Sequence, residues 1–571
     1  MPSILGGSFL LALFATSTAV DVDLSWYPPS QTQINNLTDV LTASGVYGFI
    51  YDTSDTPDSR YGVYNWCNMP HVRKTEYKKP SGEYELKYVE LIHRHHKRTP
   101  YSSNAFPIEP YQWNCDDQGL FYFGRPFGDG APDAAESYWA VNVSPINPFV
   151  PSGWIGTCQF PQITGTGLED SWQHGQDLYG VYHDLLHFLP DRSGDWPSKV
   201  KYRVTNNVIT SQVAGMVING MWGATDSVPL LIESSSVDSL EPTYGCSVSS
   251  SLFGGITSGN NPAWAAHLQA AQSLYATLDA ISGVSPSDSG FHASFDHYYD
   301  NLSARQCHQK PLPCKLVNGV NSSTCITQDL ADEVYRFGNW EYSQMYRDAS
   351  SSLPASAASF GVWVAELAAH IRDVLAGNGT TLYFHNIAHD GSVSRLLSVL
   401  QIDTMVWPGM GSEVVFELWK KKSSTGSTTT TPAVVAPTCN HDNCLRQMIR
   451  QSASASIFCP SFTATNASHA PSAVPTWLSN CNGNVGAVSS ACECLVTPTP
   501  TSTSSEVEPT QIGASGYYIR VLFGGQVLKS SNPSLGVLDL IPVETLLAYF
   551  DGLVGVGASL VKGKCNGSIR V

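Results

Sequence analysis

The residues able to do chemistry gather at two places in this chain. Residues 88–100 read YVELIHRHHKRTP, an apolar run followed at once by His93, Arg94, His95, His96, Lys97 and Arg98. An imidazole is a nucleophile when one nitrogen keeps its lone pair free and the electrophile is already clamped in front of it. Arginine forks neutralise and orient phosphate oxygens and cannot lose their charge. Such a loop suits the binding and attack of a phosphate ester. The same residues admit two other readings, a solvated basic patch or a metal-binding tract over His93, His95 and His96. The second place is residues 381–390, TLYFHNIAHD, where an apolar run stops at His389 and Asp390 before GSVSRLLSVL opens a helix. His183-Asp184 and His441-Asp442 are further His-Asp pairs, but only this one joins a strand to a helix N-terminus, where backbone N–H groups favour an anion. A carboxylic acid placed there protonates a departing alkoxide, provided its pKa lies near the working pH.

Several elements must hold these two places together. The strand-like run Tyr88 to Ile92 sets where the basic turn begins, and the Thr99-Pro100 step stiffens its end and biases Thr99 away from helix. Residues 163–190 read as a turn and then a helix, and residues 200–222, VKYRVTNNVITSQVAGMVINGMW, as a strand and then a helix. Asn261-Pro262 is an N-cap and first-turn proline predicting a helix that closes near Gly283. Residues 327–348 predict another helix, and Phe360, Val364, Leu367, Ile371 and Leu375 recur at helical spacing before Gly377. WPGMGSEVVFELWKK, residues 407–421, alternates as a strand, and its partner GYYIRVLFGGQVLK begins only at Gly516.

RHHKRTP, residues 94–100, resembles the RHGxRxP signature of the histidine acid phosphatases, branch 2 of the histidine phosphatase superfamily, which includes acid phosphatases and phytases. His389-Asp390 resembles the HD motif of the same family. The resemblance implies that His95 is the nucleophile that becomes phosphohistidine. It implies that Arg94, Arg98 and His389 hold phosphate, that Asp390 gives a proton to the leaving oxygen, and that no metal or cofactor is needed. For work in acid, the Asp390 pKa need be raised only modestly. Residues 163–190 resemble the family's LTxxGxxQhxxLG segment, with Gly167, His174 and Gly175 in place and a structural role. Residues 200–222 resemble its RSTxxxRTxxSA segment, with Arg203 and Thr205 in place. Two positions depart from the pattern: His96 stands at the family's glycine, and Ile209 at its second arginine, a third phosphate clamp. Either Arg203, Asn206 or Asn207 supplies the missing charge or catalysis is weakened, unless Ile209 simply packs in the core. Residues 407–421 resemble the closing xFExW strand, which makes Glu417 a buried or near-site candidate. The fold implied is α/β: a three-layer sandwich with a central mixed sheet plus a helical subdomain, interrupted by a small cysteine-rich insert.

Composition sets the outer limits. The 571 residues are 42% hydrophobic with 14 Trp and 26 Tyr, enough for a large core. A net charge of −17 argues against nucleic-acid binding. Residues 1–19, MPSILGGSFLLALFATSTA, resemble a secretory signal peptide, and no later run is long and apolar enough to predict a membrane span. Of 14 cysteines, eight (Cys67, Cys115, Cys158, Cys246, Cys307, Cys314, Cys325, Cys565) are scattered and six crowd residues 439–494. Even numbers behind a leader favour disulfides over metal thiolates. Sequons at Asn36, Asn142, Asn301, Asn321, Asn378, Asn466 and Asn566 point to the same extracellular compartment. Ser/Thr/Pro-rich flanks around the six-cysteine block predict an inserted minidomain over residues 423–514, with residues 20–422 and 515–571 forming the core. The expected partner is a small phosphorylated substrate. The insert resembles cysteine-rich modules of fungal secreted proteins, and cell-wall carbohydrate is its candidate ligand. The rival reading is a catalytically silent protein that uses the same cavity to bind an anion.

Overall fold

The structure, a computed structural model, describes residues 20–46, 66–108, 112–115, 121–124, 135–138, 146–149, 156–223, 228–422 and 515–569, with isolated positions between residues 444 and 492. The leader at residues 1–19 and Cys439 and Cys494 lie outside them. The main sheet contains β1 (Tyr84–Arg94), β2 (Val200–Val204), β3 (Leu230–Ile232), β4 (Tyr383–Ala388), β5 (Glu413–Lys421), β6 (Tyr517–Phe523), β7 (Gln526–Val527) and β8 (Ile541–Pro542). Its order is β7-β6-β5-β1-β4-β2-β3, with β8 also on β6. Pairing is parallel across β1, β4, β2 and β3, and antiparallel from β1 through β5 to β6 and its two short partners. The sheet is therefore mixed.

Both faces of β1 are covered, which is why its residues 88–94 are buried without interruption and do not alternate with polar ones. Successive side chains point to opposite faces, and each face meets its own helices. Val89, Leu91, Tyr383, Ile387 and Val415 pack with Leu178 of α1 (Gly165–Tyr179) and Val213, Val217 and Met221 of α2 (Val208–Trp222). Tyr88, Ile92, Phe384, Ala388 and Phe416 pack with the opposite set. That set is α3 (Asp296–Cys307), α4 (Gln328–Ser343), α5 (Ser352–Leu375), α6 (Asp390–Val399) and α7 (Val543–Val554). The result is the expected three-layer α/β sandwich, with most of its helices on one side. The stripe Phe360, Val364, Leu367 and Ile371 is buried along α5. The helix expected from Asn261 to Gly283 is instead two, Pro262–Ala270 and Gln272–Ser282, meeting at Ala271. No glycine or proline marks that break.

The chain divides into two compact units, residues 1–422 with 511–571, and residues 423–510. In the first, Lys420 of β5 stands opposite Tyr517 of β6, so the second unit leaves and rejoins the chain between adjacent strands. Disulfides Cys67–Cys307, Cys115–Cys158, Cys246–Cys565 and Cys314–Cys325 close the first unit, and Cys444–Cys481 and Cys459–Cys492 the second.

One sequon does not suit its place. Asn36, Asn321, Asn378 and Asn566 are exposed, whereas Asn301 in α3 is buried. Its Nδ2 donates to the Asn104 carbonyl at 2.8 Å and its Oδ1 accepts from Arg305 Nε at 2.9 Å. A glycan there would have no exit and would crowd the Nδ2 bond to Asn104. Glycopeptide mapping of the protein expressed in a glycosylating host is expected to find Asn301 unmodified while Asn321 or Asn378 carries sugar. A glycan on Asn301 would contradict the burial of α3.

Candidate functional site

Three parallel strands end side by side: β1 at Arg94, β4 at Ala388 and β2 at Val204. The loop leaving each strand is delivered to the same edge of the sheet, where open α/β sheets build their sites. The His95 N–H donates to the Ala388 carbonyl at 3.0 Å, continuing the β1/β4 ladder one step past Arg94. The rings of His95 and His389 are 5.4 Å apart, and the Arg94 guanidinium stands 3.2 Å from Asp390 Oδ2. Two segments almost 300 residues apart in sequence thus converge on one site.

His95 is buried, and its Nδ1 lies 3.0 Å from the His96 carbonyl. A carbonyl only accepts, so Nδ1 carries the proton and Nε2 keeps its lone pair. Burial above all, then the charges of Arg98 and Arg94 and the neighbouring His389, hold its pKa well below the usual histidine value. The ring is neutral, as a nucleophile must be. Arg94 donates to the Pro408 carbonyl at 2.6 Å and lies over the Trp66 ring. Arg98 donates to Asp300 Oδ1 and to the Thr99 carbonyl, each at 2.9 Å, and stacks on Tyr101. Each guanidinium keeps a buried Nε–H without a partner. Two unfilled donors on fixed cations are what an oxyanion satisfies.

His389 is the N-cap residue of α6, and its Nε2 lies 2.9 Å from Thr205 Oγ1 and 3.3 Å from Glu241 Oε2. Asp390 opens the same helix. Its Oδ1 accepts the Gly391 N–H at 2.8 Å and its Oδ2 the Trp407 indole N–H at 2.8 Å. Burial pushes the Asp390 pKa up, but Arg94, the indole donor, Arg98 and His389 together bring it below the ordinary carboxylate value. The expectation of a modest rise is therefore corrected for the free protein: Asp390 is an ion-paired carboxylate.

No protein-family model matches the chain. Among curated proteins it is similar to Counting factor 60 of Dictyostelium discoideum, 25% identical over 347 residues that cover 58% of this chain and 76% of that protein. Among solved structures it is similar to the phytase from Citrobacter braakii, with a TM-score of 0.39, 15% identity and coverage of 59% of this chain and 82% of that one. It is also similar to the Bifidobacterium longum multiple inositol polyphosphate phosphatase in complex with phosphate, with a TM-score of 0.35, 11% identity and coverage of 64% and 89%.

The remaining candidates fall elsewhere. Arg203 is spent on carboxylates: Glu366 at 2.8 Å, Glu233 at 2.5 Å and Asp238 at 3.4 Å, with Ser239 Oγ at 2.9 Å. Three carboxylates balance its charge, which is not offered to an anion. Ile209 is wholly buried in the apolar cluster beneath α1 and α2, so of the two readings it is core. Glu417 is also buried, with its Oε1 accepting from Tyr77 and Tyr182 at 2.8 Å each and its Oε2 3.6 Å from Arg520. His96 is accommodated where the family resemblance has glycine because Gly411 faces it: a Cβ on Gly411, at φ +70, would stand 2.8 Å from His96 Nε2. Asp300, Trp407 and Glu241 were missed by sequence reasoning, and Thr205 was placed only as part of a resembling segment. Only Trp407, beside Pro408-Gly409, carried any local signal.

Two outcomes are expected. An arginine at position 209 would bring an unpaired charge into that cluster, so Ile209→Arg is expected to lower stability by about 3 kcal/mol, against about 1 kcal/mol for Ile209→Val, in thermal or denaturant unfolding. An anion that occupies Arg94 removes the partner lowering the Asp390 pKa and adds a negative neighbour, so that pKa must rise on binding. Sulfate binding near pH 5, followed by calorimetry in buffers of different ionisation enthalpy, is expected to take up more protons in the wild type than in Asp390→Asn. Equal uptake would mean that Asp390 does not sense the bound anion.

Proposed function

We propose that the protein is a secreted phosphomonoesterase of the histidine acid phosphatase type, hydrolysing small phosphate monoesters through a phosphohistidine intermediate. The observation that carries this reading is the buried, neutral His95 with its Nε2 lone pair free, set between Arg94 and Arg98 in the pocket that also holds Asp390. In the mechanism, Arg94, Arg98 and His389 bind the phosphoryl oxygens. As substrate takes the Arg94 fork, Asp390 gains a proton. His95 Nε2 attacks phosphorus, the ester P–O bond breaks, and Asp390 protonates the departing oxygen. Water then attacks phosphohistidine with Asp390 as base, releasing phosphate and restoring neutral His95. Most of the acceleration comes from the fixed positive field around the transferring group.

The disulfides of the described residues support an oxidising compartment. No helix among the described residues is long and apolar enough to cross a membrane. We read residues 1–19 as a leader and residues 423–514 as an insert of the fungal secreted kind, for which wall carbohydrate is the candidate ligand.

The test is turnover near pH 5 without added metal, on a panel of esters that includes p-nitrophenyl phosphate, glycerol phosphate and inositol hexakisphosphate. His95→Ala is expected to abolish both turnover and an acid-labile phosphoenzyme seen on rapid quenching. Asp390→Asn is expected to slow glycerol phosphate by about 10²- to 10⁴-fold and p-nitrophenyl phosphate much less, because the poorer leaving group needs the proton more. If the wild type turns over no ester faster than His95→Ala, the protein is instead an anion-binding protein on the same pocket.

A further inference from the structure

Around the root of the basic loop lies a buried group of histidines that the mechanism does not use. His93 ends β1 with Arg94, His96 belongs to the basic loop, and His174 comes from α1; all three have essentially no exposure. One ring nitrogen of each lies within 4.8 Å of the other two. The partners of the opposite nitrogens bear on the tautomers. His93 Nδ1 lies 2.7 Å from the Arg94 carbonyl, which only accepts, so its proton is on Nδ1. His96 Nδ1 lies 3.1 Å from Ser171 Oγ, whose own O–H is donated to the Gly167 carbonyl at 2.7 Å, so His96 is also protonated on Nδ1. His174 Nε2 lies 3.0 Å from the wholly buried Glu413 Oε2, and an ionised Glu413 places the His174 proton on Nε2. Three lone pairs then face inward: His96 Nε2, His174 Nδ1 and His93 Nε2.

His96 Nε2 and His174 Nδ1 are 3.2 Å apart. Two bare lone pairs at that separation repel, so something positive belongs between them. A proton would serve that pair, but it would leave His93 Nε2 as it stands, fully buried with no partner. A metal ion serves all three. Two nitrogens on one tetrahedral ion, each at about 2.0–2.1 Å, stand about 3.3 Å from one another. The His96–His174 spacing already matches, and a His93 nitrogen that lies within 4.8 Å of the other two needs to close by at most about 1.5 Å. Each ligand has the outer partner that metal-bound imidazoles use to fix tautomer and ring orientation: a carbonyl, a hydroxyl and a carboxylate. The Glu413 carboxylate also supplies buried negative charge against a dication.

We propose that His93, His96 and His174 form a structural site for a borderline divalent transition-metal ion of the zinc class, with Glu413, Ser171 and the Arg94 carbonyl as its outer shell. His95 is not a ligand, which separates this set from the tract His93, His95 and His96 considered from sequence. The ion pins the end of β1, the basic loop and α1 to one another, and so holds in place the loop that carries Arg94, His95 and Arg98. It makes no contact with substrate. The inference does not rest on the phosphatase reading, since it concerns residues that take no part in that mechanism.

The test uses the full chain without an affinity tag, stripped with a chelator and titrated with Co²⁺ or Zn²⁺. One equivalent is expected to bind, with visible Co²⁺ absorption of tetrahedral intensity and a raised thermal midpoint. His96→Gln and His174→Gln should each weaken binding by more than tenfold, and Glu413→Gln by about 10- to 100-fold. His183→Gln, which alters a partly exposed histidine paired with Asp184 and Asp191, should leave binding unchanged. His95→Ala should keep the metal even where turnover is lost, so failure of the phosphatase reading and failure of this site are told apart. Absence of bound metal and of any thermal shift in the wild type would overturn the proposal and leave a proton between His96 and His174. An absorption band that survives in both His96→Gln and His174→Gln would overturn it as well. Should those variants not fold, the wild-type titration decides alone.

Discussion

The parallel pairing of β1 with β4 is the constraint on which the rest depends. Its register sets Arg94 against Ala388, and the next hydrogen bond, from the His95 N–H to the Ala388 carbonyl, carries the alignment into the two loops. From there the chain has little freedom. His389 must cap α6, Asp390 must enter its first turn, and Arg94 must meet it. A slip of one residue in that register would reverse every side chain and send the apolar set of one face into the other. Two different apolar clusters, one per face, hold it in place.

The second organising feature is the local balance of charge. The chain is strongly acidic, yet its central loop is basic. The structure reconciles these by giving the cations of the loop and of β2 carboxylate partners: Asp390 for Arg94, Asp300 for Arg98, Asp170 for Lys97, and three carboxylates for Arg203. A buried charge without a partner is costly, so such pairing is a condition for having the loop at all. It also lowers the positive potential left for a ligand, and the two unfilled Nε–H donors mark what remains.

The same balance explains where reading the chain went astray. Arg203 lies on a segment similar to a phosphate-binding one, but its carboxylate partners come from residues 233, 238 and 366, which no local pattern ties to it. Burial pushes the Asp390 pKa up, but Arg94, the Trp407 indole, Arg98 and His389 together bring it below the ordinary carboxylate value, and no local pattern shows those partners. Asn301 satisfies a sequon but sits on the inward face of α3. In each case the type of residue was legible and its surroundings were not.

The sequence alone determined the two chemical poles, the strand that ends in each, the helices flanking them and the α/β class, because those depend on short-range periodicity and on which residue types can do phosphate chemistry. Only the tertiary structure decided which charges stay available, which nitrogen of each histidine keeps its lone pair, and that His93, His96 and His174 share one buried space. Those outcomes depend on partners hundreds of residues away, such as Asp300 for Arg98 and Glu413 for His174. Hydrogen bonds and ion pairs act over a few ångströms in space, and a linear chain does not record such distances until its layers have packed.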